Sequence, residues 1–549
     1  MKNLNKLTAA IVAGTMLAGC NDLDIQPQGS TITSDQKQEV VNLDPGKALA
    51  SVSGLSGMMT AYGSLTGGSG SDDHEDIGIP ALFILMDERG MDMYSIESGY
   101  NWYNYAMFMS DGLPTSLSTN LMWRYNYNII YSANEILTTV LPTIDEDSTT
   151  DENYELMFYA GEALAFRAFS YTYLAQSYQF TYTGHESSPC VPIITEKNSL
   201  DAAANGCARS TVKEVYDQII SDLTQAISYL EGNPVTPDKV ISSKPNRFVT
   251  AAAAYGLRAR AYLLMNEWAK AASDAQAAIS KSGATPLSRS EAGVPGFISL
   301  DEHNWLWGIA VSETDRVSIS GICNFPSHMG SLSYGYASAV GAWKWINTKL
   351  YNQIPSTDIR KGWWLNSRGT SGNLTAAQQS YVSQNGASAG VQVKFAPYNG
   401  EIGGTVNASD IPLMRVEELY LILAEAQGMQ DVATGVQTLN DFVTTYRDAT
   451  YECTATTKEA FQDAVWFQRR IELWGEGFSY FDMLRLGKAL DRVNAGWPST
   501  CEYYLEPTDP VLIFPIPDGE ITANQQLNSA ENTLGGGRPT PVNGSTGEE

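Results

Sequence analysis

Positive charge is scarce in this chain. Its 34 Lys and Arg stand against 61 Asp and Glu, which leaves a formal net charge of -27 over 549 residues. Nucleic acid and anionic lipid surfaces recruit basic patches, so neither is an expected partner. Histidine is scarcer still. His74, His185, His303 and His328 are scattered, with no HExxH motif and no i, i+4 pair, which argues against a zinc enzyme; no metal or other cofactor is expected. There are six cysteines and no CxxC spacing. Five of them, Cys190, Cys207, Cys323, Cys453 and Cys501, follow the N-terminal region. Cys190 and Cys207 either bridge a local loop in an oxidising compartment or remain free buried thiols. Walker and dinucleotide-binding glycine loops are missing. One GxSxG match, Gly386 to Gly390 around Ser388, has polar residues before it and a strand-like VQVKF after it. That is the reverse of the strand-turn-helix a nucleophile elbow needs. Nor does any stretch nominate the facing carboxylate pair of a glycosidase.

Long apolar runs are also lacking beyond the N-terminus. Lys2 and Lys6 precede a short apolar run at 7–17 that ends Leu17-Ala18-Gly19-Cys20. This has the form of a signal peptide with a lipobox, so residues 1–19 are expected to be removed and Cys20 lipidated. The mature chain would then be anchored to a membrane by lipid rather than threaded through it. Only 17% of residues are charged and 10% are aromatic, so the polar surface leans on Asn, Gln, Ser, Thr and Tyr. That mix suits an exported protein in contact with polar neutral ligands.

Residues 20–50 read as a lipidated tether and a leading loop, 51–533 as a single domain, and the Gly- and Pro-rich 534–549 as a disordered tail. Within the domain, the spacing of apolar residues predicts helices over 119–141, 155–180 and 210–230. The stretch 247–280 is a tetratricopeptide-like helical pair: Ala254, Gly256 and Ala261 on the first helix face Ala271, Ala275 and Ala278 on the second. Residues 417–443 repeat the idea. Helical repeats therefore occupy about 116–281 and 411–490, split by a loop-rich insertion at about 282–410 that holds Trp305, Trp307, Phe325, Tyr334, Tyr336, Trp343, Trp345, Trp363 and Trp364. Repeat scaffolds often carry such insertions on a binding face.

Two further stretches are candidates for function. Asp72, Asp73, Glu75 and Asp76 crowd one loop, which fits either a calcium site or a solvated acidic turn; His74 stands where an EF-hand needs a ligand. Residues 94–108 mix Tyr94, Tyr100, Trp102, Tyr103, Tyr105 and Phe108 with Ser, Asn and Gly, with no clean helical or strand period. Rings can stack on the C–H face of a sugar while amides take its hydroxyls. The alternative is packing onto the helices that follow.

Near the C-terminus, 468–490 alternates Arg469, Arg470, Glu472, Glu476, Asp482, Arg485 and Lys488 with large apolar residues, and should form a salt-bridged corner. Its Arg-Arg-Ile-Glu-Leu, Gly-Glu-Gly and Phe-Asp-x-x-Arg-x-Gly-Lys segments, together with the lipobox and the Ile513-Phe514-Pro515-Ile516-Pro517 run, resemble the SusD/RagB family of Bacteroidota outer-membrane lipoproteins. The resemblance implies a mainly α, tetratricopeptide-like scaffold with a loop-rich aromatic ligand face. It also implies a surface-exposed, lipid-anchored, non-enzymatic protein that passes oligosaccharide to a SusC-like TonB-dependent transporter. By position it points to Trp102 and Tyr103 as stacking platforms, Asn101 or Asn104 as hydroxyl partner, and Tyr334 and Tyr336 on the opposite side. A peptide-binding lid, a surface glycoside hydrolase and a structural adaptor remain the alternatives.

Overall fold

The computed structural model describes residues 34–63, 65, 74–241 and 243–544. Cys20, Asp72 and Asp73 lie outside these residues, as does the expected signal peptide. Most of the chain is helical, and the helices start where side chains can cap them. Helices α1 (Ser34–Leu43), α2 (Leu49–Met58) and α3 (Ile79–Arg89) lead into α4 (Leu117–Val140) and α5 (Asp151–Tyr178). Then come α6 (Val212–Leu230), α7 (Ala251–Leu264) and α8 (Trp268–Ser282). Thr150 and Thr250 accept the Asn153 and Ala253 amides, and Thr211 with Glu214 forms a reciprocal capping box. After the insertion follow α9 (Val416–Gly428), α10 (Val432–Tyr446), α11 (Lys458–Glu472) and α12 (Ser479–Arg485).

Consecutive helices from α4 to α10 pack against one another, and α8 packs directly on α9. The insertion thus leaves the helical stack and returns to it without interrupting it. Small residues permit the close crossings. A Cβ on Gly256 of α7 would lie 2.3 Å from Met414 Sδ, and one on Gly435 of α10 would lie 2.4 Å from the Gly428 Cα of α9. Among the described residues no helix is long and apolar enough to cross a membrane.

The strands are few and short, and those that tie the insertion to the scaffold are β1 (Met93–Tyr94), β2 (Trp305–Ile309), β3 (Trp345–Ile346) and β4 (Ile411–Arg415). Antiparallel β2 and β4 close the neck of the insertion, with Trp305 opposite Arg415 and Ile309 opposite Ile411. Antiparallel β1 and β3 tie the insertion to the segment after α3, through Met93–Ile346 and Tyr94–Trp345.

The 468–490 corner is where these parts meet. Glu472 accepts from Arg447 (2.7 and 2.8 Å), Arg360 (3.1 Å) and Arg415 (3.4 Å). Glu476 accepts from Lys394 (2.6 Å) and from Arg415 (2.9 Å). Arg469 and Arg485 both donate to Asp482 (2.7 Å each), and Arg485 also reaches Glu425 of α9 (2.7 Å). Arg470 pairs with Asp92. Burial pushes the Glu472 carboxyl up, but the guanidiniums of Arg447, Arg360 and Arg415 outweigh it and hold the group well below its ordinary value. Nearby Asp87 has no such partner. Burial raises it to about 8, against a single hydrogen bond from the Gly477 amide (3.1 Å).

Two expectations fail at the chain's ends. The leading loop expected within 20–50 is helical from Ser34: α1 packs on α4, buries Val41 and pairs Lys37 with Glu135 at 2.9 Å. The tail expected to be disordered from 534 is held in place as far as it is described. Gly536 donates to Gly112 O (2.9 Å), and Arg538 donates to the Tyr503 hydroxyl (3.1 Å) and Thr500 O (2.8 Å). The glycines that suggested disorder permit this approach, since a Cβ on Gly535 would sit 2.5 Å from Gly112 O.

Candidate functional site

The aromatic stretch after α3 and the loop around 325–343 are far apart in sequence, and the β1–β3 ladder sets them side by side. Ser95 Oγ then donates to Trp343 O at 2.7 Å. In the loop, a short helix at Phe325–Met329 is capped by Asn324, and the following turn folds back over it. Gly335 makes this possible: a Cβ there would lie 2.3 Å from Ser327 Oγ and 2.4 Å from Ser327 Cα. The Tyr336 amide consequently bonds Ser327 Oγ at 3.1 Å.

A cluster of rings results. Tyr100 stacks on Tyr336 (centroids 5.7 Å apart, planes 30°), and Trp102 meets Tyr336 edge-on (6.0 Å, 77°). His74 lies flat on Trp102 (4.1 Å, 13°) and edge-on to Tyr336 (5.0 Å, 88°). His328 stacks on Tyr336 from inside (5.0 Å, 18°). Cys323 Sγ lies 3.2 Å from His74 Nδ1, and the Tyr336 hydroxyl 3.4 Å from Nε2. His328 is held far below its ordinary pKa, first by burial and then by the charges of Lys344 and His74, so it is a neutral imidazole at physiological pH. Burial raises the Tyr336 phenol. The cluster is built mainly of aromatic rings, with Tyr100 exposed at its surface.

The five residues expected to bind divide between surface and core. Tyr334 is 45% exposed, Trp102 is partly buried, and Tyr336 is buried in the ring stack. Tyr103 and Asn101 are buried for other purposes, which corrects their expected roles. The Tyr103 ring is wholly enclosed, its hydroxyl donates to His74 O (3.2 Å), and its edge meets His328 at 5.3 Å. Asn101 donates to Glu88 Oε2 (2.9 Å) and accepts from Lys344 Nζ (3.2 Å), inside a buried Glu88–Lys344 ion pair. A ring or amide so engaged offers nothing to a ligand. Asn104 is partly buried and donates to Glu97 O at 3.1 Å.

Tyr100, 50% exposed and stacked on Tyr336, is a surface ring not selected from sequence, and His74 supplies the base of Trp102. Tyr100 carried no signal beyond membership of the aromatic stretch, and nothing in the sequence linked His74 to a loop 250 residues away. The described half of the acidic loop is also turned inward. Glu75 accepts from the Tyr105 hydroxyl, and Asp76 from the Tyr125 hydroxyl (2.6 Å) and the Leu65 amide (2.7 Å). Both carboxylates are buried, so neither belongs to a solvated turn. Ser388 of the GxSxG match follows the helix Ala376–Gln384, and its Oγ accepts from Trp345 Nε1 at 3.0 Å. Cys190 and Cys207 are both unbonded thiols.

Comparison with known proteins places this geometry in context. The family model described as starch-binding, associating with outer membrane, matches residues 81–263, and the SusD family model matches residues 358–533. A SusD-like carbohydrate-binding protein from Bacteroides vulgatus superposes with a TM-score of 0.70 at 23% identity, covering 89% of this chain and 98% of that one. A SusD superfamily protein from Bacteroides thetaiotaomicron gives 0.66 at 21% identity, with 90% and 99% covered. A laminarin-binding SusD-like protein gives 0.60 at 19% identity, with 88% and 98% covered. No curated protein sequence matches the chain.

Proposed function

From the premise that this chain belongs to the SusD/RagB family, we propose that it is a cell-surface, lipid-anchored nutrient-binding protein that captures oligosaccharide without cleaving it. The observation that carries the reading is the aromatic face: Tyr100 exposed and stacked on Tyr336, Trp102 and Tyr336 braced by His74 and His328, and Tyr334 exposed on the same loop as Tyr336. Rings braced in this way lose little freedom when a sugar stacks on them, which keeps the entropic penalty of binding low. Each ring adds roughly 1 kcal/mol by analogy with aromatic pairs. A few such contacts give about micromolar to millimolar affinity, which suits capture followed by release.

The receiving partner in this reading is a SusC-like TonB-dependent transporter, with Cys20 as the lipid anchor. Ligand selection by a peptide-binding lid of the same transporter type is the competing reading. Calorimetric titration with laminarin-derived and starch-derived oligosaccharides on one side, and a mixed tripeptide pool on the other, separates the two. Saccharide binding that falls when Trp102 and Tyr336 are both changed to Ala is the expected result. Binding of peptides alone would overturn the glycan reading, and release of reducing ends from polysaccharide would overturn the non-enzymatic one. Co-purification with a TonB-dependent transporter from native membranes tests the partnership.

A further inference from the structure

A cleft of about 640 Å³ opens between the end of α2, the 243–247 turn before α7 and the 310–316 stretch that follows β2. It is joined to the aromatic face along the chain. Arg316 begins the short helix Arg316–Ile319, from which the chain runs directly to Cys323 beneath His74.

Three cations line this cleft in a chain with a net charge of -27: Lys244, Arg247 and Arg316. Lys244 is neutralised by Asp410 at 2.7 Å. Arg247, half-buried, and Arg316, exposed, form no salt bridge among the described residues. Each is instead backed by a ring, Arg247 by Phe248 (5.2 Å) and Arg316 by Tyr62 (5.3 Å). Arg247 Nε is buried with no acceptor. The two acids of the cleft carry formal charge of their own, and their carboxylates are turned to neutral donors rather than to either arginine. Asp315 accepts the Ser312 amide (2.9 Å) and hydroxyl (2.8 Å), and Glu313 accepts the Tyr398 hydroxyl (3.1 Å). Ser53, Ser56, Thr60 and Ser243 add hydroxyls to the walls.

Half-buried Arg247, whose Nε lacks an acceptor, is unfavourably placed until an anion supplies one, and exposed Arg316 adds a second guanidinium at the rim of the cleft. The planar fork of Arg matches a carboxylate or a sulfate in a way that a lysine ammonium does not. We propose that this cleft is a subsite for the anionic substituent, carboxylate or sulfate ester, of an acidic oligosaccharide whose neutral part lies on the Tyr100–Trp102–Tyr336 face. The inference rests on the glycan reading above and narrows its substrate class.

The test is calorimetric titration of the lipid-free mature chain with three probes: oligogalacturonate, a carboxylate-free sulfated carrageenan oligosaccharide, and a neutral laminari-oligosaccharide. The wild type is expected to bind an acidic probe, with affinity falling as salt is raised. Which acidic probe binds identifies carboxylate or sulfate as the recognised group. R247Q/R316Q is expected to weaken that binding about tenfold or more, the scale of one or two charge-assisted hydrogen bonds, with an unchanged melting temperature. Arg316 is exposed, so R316Q alone carries the same test should the double variant fold poorly. Wild-type binding of the neutral probe with neither acidic one overturns this inference and leaves the glycan reading standing. So does a folded variant that keeps the acidic probe. Binding of none of the three overturns this inference, and the starch-derived and peptide titrations above then decide the glycan reading.

Discussion

At the 468–490 corner, Glu472 and Glu476 share three guanidiniums and one ammonium, all buried, while on the loop face Tyr100 and Tyr334 leave 50% and 45% of their surface in water. The corner is dense in charge and almost closed to solvent. The face carries almost no charge and is open. A functional site is easily looked for where charges cluster, yet here the cluster fastens α3, the insertion, the β2–β4 neck and the last helices together. A dry carboxylate surrounded by guanidiniums has no spare lone pair and no room for a substrate. A half-exposed tyrosine braced from behind has a free face.

Substitutions should separate the two regions, and the largest effect belongs to the corner. Glu472→Ala removes the carboxylate shared by three buried guanidiniums, which keep only Asp358, Glu417 and Glu476 between them, and the expected loss is about 3–5 kcal/mol of stability, seen in chemical denaturation or as loss of soluble protein. Asp482→Ala, which removes the shared partner of Arg469 and Arg485, and Arg470→Ala, which unpairs Asp92, should each cost about 2–3 kcal/mol. Ligand affinity should be unchanged in whatever folds. Normal stability with lost binding in either variant would make the corner a ligand site and erase the contrast.

The pH response sharpens it further. Asp87 is raised in the native state to about 8, so between about pH 4 and pH 8 the native chain holds a proton that the unfolded chain has released. Stability contributed by this group therefore falls as pH rises through that window. Asp87→Asn should remove the dependence and gain about 1–2 kcal/mol on the wild type between pH 6 and pH 8, read from denaturation midpoints at the two values. Glu472 has the opposite sign. Its lowered pKa gives stability that is present above the ordinary carboxylate range and lost only as pH falls below it. The smallest effect on folding is expected at the face. Tyr100→Ala/Tyr334→Ala should shift stability by no more than about 0.5 kcal/mol, since both rings are exposed. The same change should lower oligosaccharide affinity about tenfold, at roughly 1 kcal/mol per ring. Unchanged affinity in this variant would move the binding surface elsewhere.

Much of the scaffold was legible. The small-residue spacing in 247–280 and 417–443 marks helical pairs, because two helices can approach closely only where Gly and Ala alternate with larger groups. The family signature of the corner was legible too, but its bonds were not. Arg470 pairs with Asp92, 378 positions away, and Glu472 with Arg360, 112 away. At the aromatic face, composition marked two stretches that the structure brings together, and then did not separate surface from core among neighbours. Trp102 lies at the surface cluster while Tyr103 beside it fills the core, and Asn101 holds an ion pair. Adjacent residues on an irregular loop point in directions set by what packs beneath them, and no period in the sequence records that. His74 was read as part of an acidic turn and proves to be the base on which Trp102 rests.

By itself the sequence determined the helical scaffold, the membership of the charged corner and the aromatic character of one face, because periodicity, charge density and residue type act locally along the chain. The tertiary structure alone decided which rings meet solvent, which acids are paired and which arginines of the cleft are left without a counter-charge. Those properties depend on the partner that arrives from a distant part of the chain, and burial turns the presence or absence of that partner into the difference between a fastening and a site.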